Sequence, residues 1–119
     1  FSALKRGEAV AMAADQVPAK NMGVYENFFG RKAYTTNLIP SLHSKTKAPI
    51  VSVAIHSDNL TNQLYIRYGS KSTYKEKSQY NAKTMNKEIE NIININPEDY
   101  NWEYKRFKKQ EAEDKTIYK

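Results

Sequence analysis

Residues Ala9-Val10-Ala11-Met12-Ala13-Ala14 form an apolar run with no polar residue in alternation. Such a run needs cover on both faces, which is the condition of a strand inside a parallel sheet. A buried parallel strand requires a neighbour on each side and helices above and below it. The run therefore predicts an α/β fold. It ends at Asp15-Gln16, with Pro18 just beyond. Site residues in open α/β sheets collect where strands emerge in this way.

The flanking sequence supplies the other elements. Phe1 to Arg6 reads as the end of a helix, with Lys5 and Arg6 suited to its C-terminal dipole and Gly7 as the stop. Residues 17 to 34 show no period and carry Pro18, Gly23 and Gly30, so they read as a long loop rich in aromatics. Thr35, Thr36 or Asn37 caps a short helix through about Lys45, with Leu38, Ile39 and Leu42 as its buried stripe. Pro49 to Ile55 is a second, largely apolar strand. Gln63 to Tyr68 is a third, in which Leu64, Ile66 and Tyr68 alternate with a wet face. A turn at Asp58-Asn59 would join these two as an antiparallel hairpin.

Residues 69 to 79 are rich in Lys and Ser and read as an exposed loop. From Tyr80 to Ile95 the period becomes helical, placing Ala82, Met85, Ile89, Ile92 and Ile93 on one face. Asn96-Pro97-Glu98-Asp99 offers a cap, a proline and first-turn acids for a last helix through Phe107. Residues 110–119 form a charged tail expected to be disordered. Three strands cannot cover themselves well. The expectation is one domain portion, residues 1–109, belonging to a larger sheet.

Composition narrows the function. The 119 residues include no cysteine, which excludes disulfides and thiolate metal sites. No His pairs with a second ligand at metal spacing, and no cofactor is expected. No apolar run approaches the ~18 residues of a membrane span. Any anchor is expected in other sequence. Nineteen basic residues against thirteen acidic ones give a net charge of +6, which favours anionic partners.

The order of several short segments is more specific than any one of them. Leu4-Lys5-Arg6-Gly7-Glu8-Ala9-Val10 leads into the run that ends at Asp15-Gln16. Gly23-Val24, Phe28-Phe29-Gly30-Arg31 and Ala33-Tyr34-Thr35 follow, then Thr46-Lys47-Ala48-Pro49-Ile50-Val51. Pro97-Glu98-Asp99-Tyr100-Asn101-Trp102 and Tyr104-Lys105-Arg106-Phe107-Lys108 close the series. This series resembles the C-terminal half of the bacterial lipid A lauroyl/myristoyl acyltransferases, within the glycerolipid acyltransferase superfamily.

The resemblance implies an α/β fold, here the C-terminal part of an acyltransferase-type mixed sheet flanked by helices. It implies transfer of an acyl chain from acyl carrier protein to a hydroxyl of a lipid A precursor, at the cytoplasmic face of the inner membrane. The lipid surface, the precursor and the carrier protein are the expected partners, and nucleic acid is not. The family's catalytic signature is a His followed five positions later by an acid; the His is the general base. Ala48 stands at that distance from His43 and Thr61 from His56, so the chain lacks the signature. The resemblance places it upstream, and this chain alone is expected to be inactive.

Asp15 and Gln16 are then the leading site candidates, either supporting the missing base or holding a polar head. The alternative is a simple Asp turn. Phe28 and Phe29 either anchor their loop or wall an acyl groove, with Gly30 permitting a tight turn. Arg31 with Lys32 either grips phosphate or is a solvated basic turn. Lys105 and Arg106, next to Trp102 and Tyr104, suit phosphate or a membrane interface; the alternative is a docked helix with a wet rim. His43 and His56 read as surface or hydrogen-bonded residues. Two competing functions remain: a basic nucleic-acid-binding domain, and a non-catalytic lipid A-binding paralogue.

Overall fold

The computed structural model describes residues 1–57, 60–68, 80–111 and 117–118. The order is α1 (Ser2–Lys5), β1 (Gly23–Phe28), β2 (Arg31–Thr36), α2 (Leu38–Thr46), β3 (Val51–Ser57), β4 (Asn62–Tyr68) and α3 (Ala82–Ile93). A 3-10 turn, Pro97–Asp99, follows. Helices combine with two antiparallel sheets, β1-β2 and β3-β4, in an α/β fold.

The first hairpin replaces the long loop expected over residues 17 to 34. Phe28 pairs with Arg31, so Phe29 and Gly30 alone make the turn. Both carry positive φ, 48° and 77°. That is the pattern of a type I′ turn, whose twist matches the flanking strands. Glycine adopts it freely, whereas Phe29 is held there: its N–H donates to the Glu90 carboxylate at 2.8 Å. At the other end Gly23 lies against β2. A Cβ there would meet the Thr35 carbonyl oxygen at 2.5 Å.

α3 forms as its period predicts. The Asn81 side chain accepts the Thr84 N–H and caps it. Ala82, Met85, Asn86, Glu90 and Ile93 are its buried face. That face covers the first hairpin, and Phe28, Ala33 and Ile93 form the core with Ile89, Tyr100 and Phe107 packed around them. Burial of a side chain such as Phe28 contributes roughly 2–3 kcal/mol. The buried Thr35 hydroxyl is matched on every side. Thr35 accepts from Asn86 Nδ2 at 3.0 Å and from Arg106 Nη2 at 2.8 Å, and donates to the Ala33 carbonyl.

α2 starts at Leu38 as read from its caps. The Thr36 hydroxyl accepts the Leu38 N–H at 3.2 Å, and left-handed Lys47 closes the helix. The second hairpin pairs antiparallel as expected, with Val53 opposite Ile66 and Ile55 opposite Leu64. The turn read at Asp58-Asn59 and the loop at 69 to 79 lie outside the described residues, as does most of the tail.

Three expectations are corrected. Residues 9 to 14 are not a strand: nothing pairs with them among the described residues, and Val10 and Met12 are exposed. A parallel strand exists only through its neighbours. The apolar side of the second hairpin is likewise uncovered, with Ile55 63% and Leu64 61% exposed. Finally, Pro97 begins only the 3-10 turn, not a helix through Phe107. Tyr100 turns extended, and the Trp102 indole N–H donates to the Pro97 carbonyl at 2.7 Å.

Candidate functional site

A groove of ≈ 440 Å³ opens between residues 10–15, β3, α3 and the Pro97–Asp99 turn. Met85, Ile89, Ile92 and Ile93 of α3 and Leu42 of α2 supply apolar wall. They reach it because their helical spacing keeps them on one side. The volume falls within the range of small-molecule pockets. Polar groups interrupt the wall: Asp15, His43, His56, Asn96, Asp99 and Tyr100.

Asp99 organises the end of β3. One of its carboxylate oxygens accepts from His56 Nδ1 at 3.2 Å, from the Ser57 N–H at 2.9 Å and from Asn96 Nδ2 at 2.8 Å. A carboxylate acceptor on Nδ1 makes that nitrogen a proton carrier. Nε2 is buried and meets no partner among the described residues. The ring's edge packs on Tyr65, with centroids 5.1 Å apart. His43 is tied down differently: its Nδ1–H donates to the Ala48 carbonyl at 2.8 Å, which pins the end of α2.

Tyr100 follows Asp99 directly. Burial, and then the Asp15 charge, push its phenol up to about 12. The Asp15 carboxylate lies within hydrogen-bonding reach of its hydroxyl and adds to the rise. Burial lowers the pKa of the nearby Arg106 guanidinium, and Tyr100 and Asp15 offset this only in part. The arrangement can hold an apolar chain and offer hydrogen bonds to a polar group on it.

A family model described as bacterial lipid A biosynthesis acyltransferase matches residues 1–109. The chain belongs to that family. Among curated proteins none matches it.

Membership makes this an acyltransferase sequence of lipid A biosynthesis. The structure sorts the site candidates read from the acyltransferase motifs. Asp15 lines the groove, whereas Gln16 is exposed beside it, with its N–H on the Ala13 carbonyl. Phe28, Phe29, Gly30 and Arg31 form the first hairpin's tip and do not line the groove. Phe28 is core, and Phe29 lies edge-on to it at 4.9 Å. Lys105 is exposed, with its ammonium 5.7 Å from the Tyr118 ring.

Arg106 departs from the reading that paired it with Lys105 on the surface. It is 2% exposed, donates to the Tyr34 carbonyl at 2.8 Å, and stacks its guanidinium over Phe28. No group of His, Cys, Asp and Glu among the described residues is placed to hold a metal.

The His56–Asp99 pair and Tyr100 were not candidates in the sequence. Asp99 reads there as a first-turn acid, and nothing local links it to a histidine 43 positions earlier. The one available signal was position: His56, like Asp15, closes a largely apolar segment.

Proposed function

We propose that this chain is part of an enzyme that moves a fatty acyl chain from an acyl carrier protein thioester to a hydroxyl of a lipid A precursor. The reaction would take place at the cytoplasmic face of the inner membrane. The observation that carries this reading is the family match across residues 1–109 of a chain whose apolar groove has Asp15 in its wall. Acyl transfer to a hydroxyl needs a base for the hydroxyl proton. Neither His43 nor His56 has the family's acid at the fifth place, so that base belongs to polypeptide beyond these 119 residues. The chain by itself is then inactive. Asp15 either orients the base or holds a polar part of the substrate. The charge of +6 suits the acidic carrier, the phosphorylated lipid and an anionic membrane surface.

The experiment is an acyl-transfer assay with labelled acyl carrier protein and lipid A precursor. The product of the complete open reading frame should transfer label to lipid. The 119-residue chain should not, and Asp15→Asn in the complete enzyme should slow turnover about a hundredfold or more. No transfer by the complete enzyme rejects the reading. Near-normal turnover of Asp15→Asn removes Asp15 from the site.

A further inference from the structure

Asp15 stands at the end of a segment that has no strand to lean on. Among the described residues, no sheet includes residues 9–14. A carboxylate that serves a reaction still needs a fixed place, because a misplacement of about 1 Å can cost about a hundredfold in rate. The chain just beyond Asp15 is fastened from far away in sequence. The Val17 N–H donates to the Tyr104 hydroxyl at 2.7 Å, across 87 positions. The Lys109 ammonium donates to the Pro18 carbonyl at 2.5 Å, across 91 positions. The Asp15 carboxylate itself has the Tyr100 hydroxyl within reach. All three partners belong to one segment, residues 100–109.

That segment is in turn anchored to the core. Arg106 donates to the Tyr34 carbonyl and the Thr35 hydroxyl of β2, and Phe107 packs on the core cluster. Two short backbone bonds tie Tyr104 into the same unit: its N–H reaches the Asn101 carbonyl at 3.2 Å, and its carbonyl takes the Arg106 N–H at 2.7 Å. A continuous path of contacts therefore runs from β2 through Arg106 and Tyr104 to the peptide beside Asp15. The Val17 N–H is partly buried. Without its acceptor it would have to move toward water, taking the adjoining residues with it.

We propose that Tyr104 is a positioning residue for acyl transfer: its hydroxyl pins the peptide that follows Asp15-Gln16 and so keeps the Asp15 carboxylate in the groove wall, with Lys109 as a second pin. Tyr104 does not line the groove and acts only through Asp15. The role rests on the acyl-transfer reading and gives the aromatic and basic C-terminal segment a task within it.

The test is an acyl-transfer assay on the complete enzyme in four forms: unmutated, Asp15→Asn, Tyr104→Phe and the double variant. Turnover is counted per folded molecule. Tyr104→Phe removes only the phenol oxygen. It should lower kcat about tenfold to a hundredfold and leave KM for acyl carrier protein thioester within about twofold. In the double variant the second substitution should add less than about twofold, since the Asp15 carboxylate is already gone. A merely structural role would multiply the two losses instead. Hydrogen exchange gives a readout that needs no variant: the Val17 amide of the unmutated enzyme should be protected about tenfold or more over an unstructured peptide. Near-normal kcat in Tyr104→Phe, independent losses in the double variant, or an unprotected Val17 amide overturns the positioning role. The first of these, in an enzyme that Asp15→Asn does disable, leaves the acyl-transfer reading standing. A complete enzyme that transfers nothing, or one indifferent to Asp15→Asn, overturns that reading or its use of Asp15, and the role of Tyr104 with it.

Discussion

Arg106 donates to the hydroxyl of Thr35 at 2.8 Å, across 71 positions of sequence, at a place where both residues are closed to solvent. The same guanidinium reaches the Tyr34 carbonyl, so one side chain fastens the C-terminal segment to the centre of β2. Arg106→Met should cost about 2–4 kcal/mol, since it removes two buried, charge-assisted hydrogen bonds, to the Tyr34 carbonyl and the Thr35 hydroxyl. Arg106→Lys should recover only part of this, because an ammonium lacks the planar fork. Urea unfolding of the two variants checks the order. Equal stability of all three proteins would refute it.

Gly23→Ala should destabilise the chain by about 1–3 kcal/mol. The added methyl meets the Thr35 carbonyl at 2.5 Å and Pro18 Cγ at 2.7 Å, and the first of these is backbone that cannot swing away. A fall in melting temperature with unchanged secondary structure is the expected thermal result.

Glu90 joins α3 to the first hairpin by accepting the Phe29 N–H. Glu90→Gln retains a carbonyl oxygen for that bond, and Glu90→Ala retains none. The alanine variant should lose about 1–2 kcal/mol more than the glutamine one. Hydrogen exchange at the Phe29 amide should accelerate in step with that loss.

Tyr100 makes stability fall at high pH. Its folded phenol is raised from the ordinary 10.0 to about 12, so the folded chain holds that proton over a range where the unfolded chain has released it. The stabilisation is complete below pH 10 and is lost as pH rises toward 12. Tyr100→Phe should flatten that part of the stability profile. A steep loss that is the same in both proteins would assign the effect elsewhere.

Much of this was legible from residue spacing alone. The apolar stripe of α3 is local and forms as read. The second hairpin is announced by two β-rich segments, which pair antiparallel as read. The first hairpin was hidden because its turn is two residues long and uses Phe29 where glycine or asparagine is the usual sign. What it needed instead was Glu90, whose contribution is tertiary. The run from Ala9 to Ala14 failed for the opposite reason. Its composition reports the surroundings a strand requires, and no partner strand adjoins it among the described residues. In the groove, Asp15 was legible from its place at the end of that run. The His56–Asp99 bond was not, because it exists only once β3 meets the Pro97–Asp99 turn.

The second hairpin has a practical bearing on any work with this chain. Val53, Ile55, Leu64 and Ile66 form an oily panel on a ribbon of only two strands. A ribbon of that kind tends to zip onto other ribbons. Concentrated preparations should therefore cloud or clump, and a lysine in place of Leu64, which does not line the groove, should keep them clear.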